Sequence, residues 1–167
     1  MLDGSPLKDE KGYIAIVAAL GILALLTIIG ISATQVANTE VRTARNEVIY
    51  KRNFYLAEGA ALEAADWVNF YGNLRDKPPP WIETYVGHLH VGSLKYYWDN
   101  TAASGDTVIP MPSELDLAHT AYLAGEEGVA PGSSLGMGQP TVHSIAIYGR
   151  CSWDGVAIIK LGYRAAY

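Results

Sequence analysis

A match to the nucleophile motif of serine hydrolases, Gly-x-Ser-x-Gly, lies at residues 132–136. In those enzymes the serine stands on a sharp turn between a strand that enters it and a helix that leaves it. Here Pro131 directly precedes the motif, and Gly138 and Pro140 follow it, so neither element is predicted there. The glycines also lack the spacing and the lysine of a phosphate-binding loop. The sequence therefore predicts no catalytic residue, and a protein that is not an enzyme.

Histidines and acids offer a second kind of chemistry, metal binding. His88 and His90 stand two apart in a predicted strand, which would place both rings on one face, but two ligands do not make a zinc site. Acidic residues collect in the middle of the chain without the spacing of an EF-hand, so a solvated surface is the prediction and calcium the alternative. No metal and no cofactor is predicted. These acids are Asp99, Asp106, Glu114, Asp116, Glu126 and Glu127.

Cys151 is the lone cysteine of the chain. It excludes an internal disulfide and a cysteine-rich zinc module. A small, half-buried residue beside a turn is the simplest interpretation, and a bond to a second chain is the alternative.

The composition indicates what kind of protein holds these residues in place. The chain has 167 residues, 50% of them hydrophobic, with four Trp and eleven Tyr, which suffices for one folded domain. Its 17 acidic residues outnumber 12 basic ones, giving a formal charge of −5. Because no run of basic residues offsets this balance, a nucleic-acid partner is not expected.

A continuous apolar run extends from Tyr13 to Ala33, and no charged residue occurs between Gly12 and Thr39. At about 1.5 Å per residue this run can cross a bilayer core of about 30 Å. A cleaved secretory signal is the weaker interpretation, because the run is too long and no small-x-small site follows it. Lys8 and Lys11 predict a cytoplasmic N-terminus, and so place residues from about 36 onward outside the cytoplasm.

The helix is predicted to continue into water, because no proline follows until Pro78. Gly72 and Pro78 end it, which gives one helix from Tyr13 to about Tyr71. Gly21, Gly30 and Gly59 lie inside it and mark either bends and close contacts or tolerated glycines. Apolar residues that recur at three, four and seven positions predict a buried stripe: Ala37, Val41, Ala44, Val48, Tyr55 and Leu62.

The C-terminal half has short β-type runs at 81–86, 89–98, 107–110, 141–149 and 155–163, which predict an antiparallel sheet. The last two runs form a hairpin closed by Asp154-Gly155. A short helix capped by Ser113 is predicted over 113–125, followed by a loop through residue 140. The fold class is α+β, with the second half of the helix packed on the sheet. The predicted shared core is Leu62, Trp67, Ile145, Ile147, Ile159 and Leu161.

The short polar leader, the Lys11-Gly12 junction, the immediate apolar helix and the stretch FYLAEGAALEAA at 54–65 together resemble the type IV pilin superfamily. Within it the chain is similar to minor pilins of the PilX type, including a segment like ERxxxN at 40–46. The resemblance implies a pilin-like fold in four parts. These are a leader at 1–12, a transmembrane and filament-core half-helix at 13–35, an amphipathic half at 36–72 and a globular β-rich domain at 73–167.

The resemblance also implies a life cycle. A prepilin peptidase would cut after Gly12 and methylate the new terminus at Tyr13. The product would be a single-pass inner-membrane protein that joins a filament at the cell surface, with its globular domain periplasmic and then extracellular. Implied partners are major and minor pilins, the peptidase, the inner-membrane assembly platform, a tip adhesin and membrane lipid. The resemblance leaves four roles open for the assembly, which are motility, cell adhesion, DNA uptake and secretion.

One position departs from the pilin pattern. Most pilins carry Glu at the fifth mature position, where it offsets the terminal amine of a neighbouring subunit, whereas this chain has Val17. Minor pilins that cap a tip also lack this Glu, so the expectation is a minor pilin that acts in initiation or at the tip. The alternatives are a pseudopilin of a type II secretion system and an uncut, single-pass anchored periplasmic binding domain.

Overall fold

The computed structural model describes residues 7–72, 74, 77–84, 86, 89, 94–99, 108–133 and 140–166. Its elements in chain order are α1 (Leu7–Tyr71), β1 (Ile82–Glu83), α2 (Leu94–Asp99), β2 (Met111–Pro112), β3 (Thr120–Val129), β4 (Val142–Cys151) and β5 (Ala157–Ala166). The chain divides into two compact units, residues 1–47 and 48–167. The first unit holds the N-terminal part of α1, and the second holds the rest of the helix and the sheet.

α1 ends as predicted and begins earlier. Its last residue is Tyr71, and Gly72 follows with a φ of +67°, the left-handed conformation that commonly ends a helix. Its first residue is Leu7 rather than Tyr13, so Gly12 lies within the helix.

The strands form one sheet in the order β1-β3-β4-β5, with β2 also paired to β3. The three long strands are antiparallel neighbours, β2 is antiparallel to β3, and β1 is parallel to β3. The α+β class is confirmed, and the sheet is mixed because of β1. The predicted closing hairpin is confirmed as β4 and β5, joined through residues 152–156, where Asp154 and Gly155 both have positive φ.

Three predicted local structures are wrong. Residues 113–119 form turns and 120–129 form strand β3, where a helix and then a loop were expected. Within the run 89–98, residues 94–98 belong to α2 rather than to a strand. In the run 107–110 no strand occurs at the described residues 108–110, and the short strand β2 follows directly. The apolar residues of 113–125 have the spacing of a helix. From Thr120 onward, however, successive side chains are buried on both faces of the sheet, which stabilises a strand instead.

The core of the second unit has two layers, one on each face of the sheet. On the α1 face, Tyr122, Ala124, Ile145 and Ile147 pack with small side chains of the helix. On the other face, Leu123, Ala146 and Tyr148 pack with residues of α2 and the segments beside it: Leu89, Leu94, Trp98 and Val108.

The predicted shared core is correct for the sheet and wrong for the helix. Ile145 and Ile147 are fully buried, and Ile159 and Leu161 are half-buried on the inner face of β5. Leu62 and Trp67 are exposed. The buried face of α1 consists instead of Asn53, Ala57, Ala60, Ala61, Ala64 and Val68.

Close packing explains why alanines take this face. A Cβ added to Gly149 of β4 would clash with the carbonyl oxygen of Ala57 and would lie 2.8 Å from the backbone nitrogen of Ala61. The helix backbone therefore approaches the strand at its glycine, and side chains larger than alanine would not fit between them.

Candidate assembly surface

The N-terminal segment of α1 presents its apolar side chains without cover. Every residue from Gly12 to Val36 is exposed. Tyr13 is 70% exposed and Val17 is 50% exposed. A contiguous apolar surface of this size is found where a protein meets lipid or another protein.

Length and composition allow this helix to cross a membrane. The span Gly12–Tyr71 contains an 18-residue window that is apolar enough to do so, and it lies near the N-terminus. This finding fits a membrane-anchored protein.

Two threonine hydroxyl groups of this segment are satisfied inside the helix. Thr27 donates to the carbonyl oxygen of Leu23 at 2.8 Å, and Thr34 donates to that of Gly30 at 2.9 Å. An unpaired hydroxyl would be costly in an apolar environment, and these bonds remove that cost for both threonines.

The glycines of α1 divide by surroundings. No described atom beyond the local helix lies within 4 Å of a Cβ placed on Gly12, Gly21 or Gly30. A Cβ on Gly59 would meet the side chain of Leu115 at 2.5 Å. Gly59 therefore makes the close contact that was one of the two predictions for these glycines, whereas nothing in the described part of this chain requires glycine at position 12.

Several large apolar side chains of α1 are exposed in the second unit. Tyr50, Phe54 and Tyr55 form one group of ring contacts, and Trp67, Phe70 and Tyr71 form another. All six rings are exposed, from 36% for Trp67 to 78% for Phe70. We call these six residues and Leu62 the outer aromatic face. The predicted buried stripe is wrong, because all six of its residues are exposed: Ala37, Val41, Ala44, Val48, Tyr55 and Leu62.

Polar contacts hold this part of α1 on the sheet. Asn53 is buried, and its amide nitrogen donates to the carbonyl oxygen of Trp153 at 2.7 Å. The Cys151 thiol donates to the side-chain oxygen of Asn53 at 3.4 Å. Outside this pair the Arg52 guanidinium lies 3.6 Å from the centre of the Trp153 ring. Together these contacts set which face of the helix points away from the sheet.

A second anchor joins Glu63 to the turn before β3. The hydroxyl of Ser113 donates to the Glu63 carboxylate at 2.5 Å, and the backbone nitrogen of Glu114 donates to the same group at 3.1 Å. Ser113 therefore caps a turn held against α1, and does not cap the predicted helix. Burial, together with the negative charges of Glu63 and Glu114, raises the pKa of the Tyr122 hydroxyl.

The structure keeps the other predicted site residues apart. Gly132 has a φ of +82°, and the Ser133 hydroxyl accepts a hydrogen bond from the Val142 backbone nitrogen at 2.9 Å, so this serine serves a turn. Ser134, Leu135 and Gly136 lie outside the described residues, as do His88, His90 and Asp106. Among the described residues no group of three His, Cys, Asp or Glu side chains could hold a metal ion.

Two of the predicted acids do form contacts that sequence reasoning did not identify. Glu126 is buried, and its carboxylate lies 2.6 Å from Nδ1 of His143. The Asp116 carboxylate lies 3.1 Å from Nδ1 of His119, and this hydrogen bond holds the pKa of Asp116 below its usual value. Cys151 is fully buried, more deeply than the predicted half-buried position beside a turn.

A long helix with an uncovered apolar start, whose second half packs on a sheet, is the architecture that the resemblance to type IV pilins implies. Residues 12–61 match the model described as PilX N-terminal. The resemblance to PilX-type pilins is therefore confirmed over this segment of α1. No curated protein and no solved structure matches the chain.

Proposed function

We propose that this chain is a minor pilin that is processed after Gly12 and acts in the initiation or at the tip of a type IV pilus. The observation that carries the proposal is the apolar segment 12–36, in which every residue is exposed and which begins where the family match begins, at residue 12. In this proposal one surface serves twice, because it faces lipid before assembly and other pilin helices after it.

The processing step depends on Gly12. A prepilin peptidase that accepts only glycine before the cut would reject a branched residue. Since no described atom beyond the local helix lies within 4 Å of a Cβ at this position, Gly12→Val leaves the fold of the chain intact. A failure to cut this variant therefore reports on the peptidase rather than on misfolding.

The test is the mass of the membrane-extracted chain in a strain that assembles pili. Wild type is expected to lose residues 1–12, and Gly12→Val to keep them. Gly21→Val is the matched control, because Gly21 lies in the same helix with equally open surroundings and should still be cut. An intact Met1 terminus in wild-type filaments would contradict the proposal and favour the uncut, anchored domain.

The outer aromatic face supports contact with neighbouring subunits. A wholly buried aromatic side chain accounts for about 150 to 250 Å². Tyr50, Tyr55 and Phe70 are at least 65% exposed, so a partner that covered them would bury most of that area for each ring. The position of this face on the same helix as the apolar segment suits a subunit that packs helix against helix within a filament.

Val17 supports the placement at initiation or at the tip. In the pilin pattern a Glu at this position meets the terminal amine of the neighbouring subunit, and a carboxylate without such a partner is costly in an apolar core. Val17 offers neither the attraction nor the cost. A subunit that joins first has no predecessor whose amine must be met, so the missing carboxylate matters least there.

The placement can be tested by gold labelling of an epitope inserted between the exposed residues Pro131 and Gly132. We expect label at filament ends in wild type, and label that moves along the shaft in Val17→Glu. Val17→Leu, which adds volume without charge, should keep the label at the ends. Uniform labelling of wild-type shafts would contradict the tip placement while leaving the processing result untouched.

A further inference from the structure

A pocket of about 200 Å³ opens on the sheet face that is turned away from α1. Trp98 of α2 and Arg150 of β4 line it, together with Pro110, Pro112 and the turn that leads into β3. All of these residues belong to the second unit. Neither the family match nor the helix surface described above accounts for this pocket.

Two buried hydrogen-bond donors at the pocket have no acceptor among the described residues. Trp98 is 7% exposed, and its indole N–H has no partner among the described residues. The Nε of Arg150 is also buried without a partner among them. The Arg150 guanidinium lies 5.5 Å from the centre of the Trp98 ring, so the two donor groups are neighbours. Buried donors without acceptors are rare in folded proteins and point to an acceptor supplied from outside.

The charge of the pocket selects the kind of acceptor. Arg150 brings one permanent positive charge, and no Asp or Glu occurs among the described residues that line the pocket. A guanidinium and a neutral N–H donor together match a carboxylate, which carries one negative charge on two oxygens. A phosphate dianion would leave a charge without a partner unless a second cation joined.

The remaining walls select what the carboxylate is attached to. Pro110, Pro112 and Leu117 supply apolar surface on one part of the lining. His119 and Ser152 supply polar groups, and Nδ1 of His119 is already engaged by Asp116 at 3.1 Å, which leaves its Nε2 for a ligand. A sugar ring could place its C–H groups against the apolar part of the lining and its hydroxyl groups against His119 and Ser152. An aliphatic acid would contact only the apolar part.

We propose that this pocket binds a sugar acid, with Arg150 and the Trp98 indole N–H holding its carboxylate and His119 and Ser152 contacting its hydroxyl groups. The volume suits a single residue of such a saccharide, either free or at the end of a chain. This site is separate from the helix surface, so it does not depend on the chain being a pilin.

The test is a titration of the full-length protein in detergent micelles with sodium D-galacturonate, followed through the indole N–H signals of the four Trp residues in an NMR spectrum. We expect one indole signal, assigned by Trp98→Phe, to shift with a dissociation constant on the order of 1 mM, since few contacts are made. D-galactose, which lacks the carboxylate, should bind at least ten-fold more weakly. The oligomer tri-galacturonate should bind at least as well if a chain end is the natural source.

Variants separate the site from general charge effects. Arg150→Gln should weaken binding at least ten-fold, and Arg150→Lys should recover only part of it because the lysine lacks the Nε donor. Arg164→Gln, on the exposed face of β5, removes the same charge elsewhere and should leave binding unchanged. Should Trp98→Phe fail to fold, His119→Gln gives a second expected loss, of about three-fold.

Four results would overturn the proposal. The first is the absence of any indole shift with galacturonate. The second is equal binding of galacturonate and galactose, and the third is an equal loss in Arg150→Gln and Arg164→Gln. The fourth is tighter binding of N-acetylglutamate or of inorganic phosphate, which would assign the pocket to an acidic peptide or to a phosphate group instead.

Discussion

In most helices the large apolar side chains are buried and the small ones are exposed. In the second unit of this chain α1 has the opposite arrangement, because its alanines are buried and its aromatic residues are exposed. The inner face is built from alanines, with Val68 as its largest apolar residue, whereas the outer aromatic face carries tyrosine, phenylalanine and tryptophan in water. Small side chains bury little area each, but they let the helix approach the strand at Gly149. The close approach of the helix and strand backbones therefore stabilises the contact, whereas the large aromatic side chains of α1 stay exposed.

The largest loss of stability should follow from adding a methyl group at Gly149, where α1 approaches β4 closely. In Gly149→Ala the added methyl group meets the Ala57 carbonyl oxygen and the Ala61 backbone, which have no rotamer to change. We expect a loss of about 3 kcal/mol, the upper end of the range for overpacking. Gly162→Ala on β5 is the control, because no described atom lies within 4 Å of its added Cβ. Urea unfolding in detergent, followed by Trp fluorescence, measures both, and equal stability of the two variants would contradict this packing.

A smaller loss should separate the two faces of β5. Leu161 is half-buried against the core below α1, and Ile158 on the opposite face is 43% exposed. Leu161→Ala should cost about 2 kcal/mol, at the low end for a buried leucine because part of the side chain already meets water. Ile158→Ala should cost less than about 1 kcal/mol. The reverse order in the same unfolding experiment would refute the strand register.

A still smaller effect is expected from the ion pair on the outer face of the sheet. The Lys160 ammonium lies 2.6 Å from the Glu127 carboxylate, and this hydrogen bond raises the pKa of Lys160. A raised pKa means that the contribution is present below the usual value of 10.5 and is lost as the pH rises through the folded-state value. Glu127→Gln should therefore lower stability by at most about 1 kcal/mol at neutral pH. The difference from wild type should shrink above about pH 10.5 and in high salt. A difference that grows with pH would show that the pair does not act in this way.

The smallest change in stability is expected on the outer aromatic face, together with the largest change in assembly. The double variant Tyr55→Ser, Phe70→Ser removes two exposed rings, and serine has a helix propensity close to that of tyrosine and phenylalanine. Unfolding should shift by no more than about 0.5 kcal/mol, as for most surface substitutions. The amount recovered in sheared filaments should fall several-fold. Met111→Ser, which removes an exposed apolar side chain on β2, is the control and should assemble normally. Normal recovery of the double variant would mean that this face has no partner in the filament.

Sequence patterns located the elements that depend on local signals. Gly72 ends α1, the Asp154-Gly155 pair closes the hairpin, and the alternation in β5 gives its inner face correctly. Each of these follows from backbone conformation or from a period of two residues, which neighbouring positions reveal without knowledge of the rest of the fold.

Patterns failed where a distant contact decides the outcome. Leu62 and Trp67 are the more hydrophobic choice for a core, and only the position of Gly149 opposite Ala57 and Ala61 shows that alanines belong there. Ser113 resembles a helix cap in the sequence. Its hydroxyl instead donates to Glu63, fifty residues earlier, and the chain continues into strand β3. The donors of Trp98 and Arg150 come from α2 and β4, and no local spacing joins them.

The contact between Asn53 and Cys151 gives the molecule a built-in reporter. Cys151 is the single cysteine, it is fully buried, and its thiol donates to a side chain of α1. A thiol so enclosed cannot bridge to another chain while the domain stays closed, even in an oxidising compartment. The rate at which a small maleimide alkylates Cys151 therefore reports how often α1 and β4 separate. If the proposed function holds, the same rate measured in cells would distinguish a subunit in the membrane from one packed in a filament.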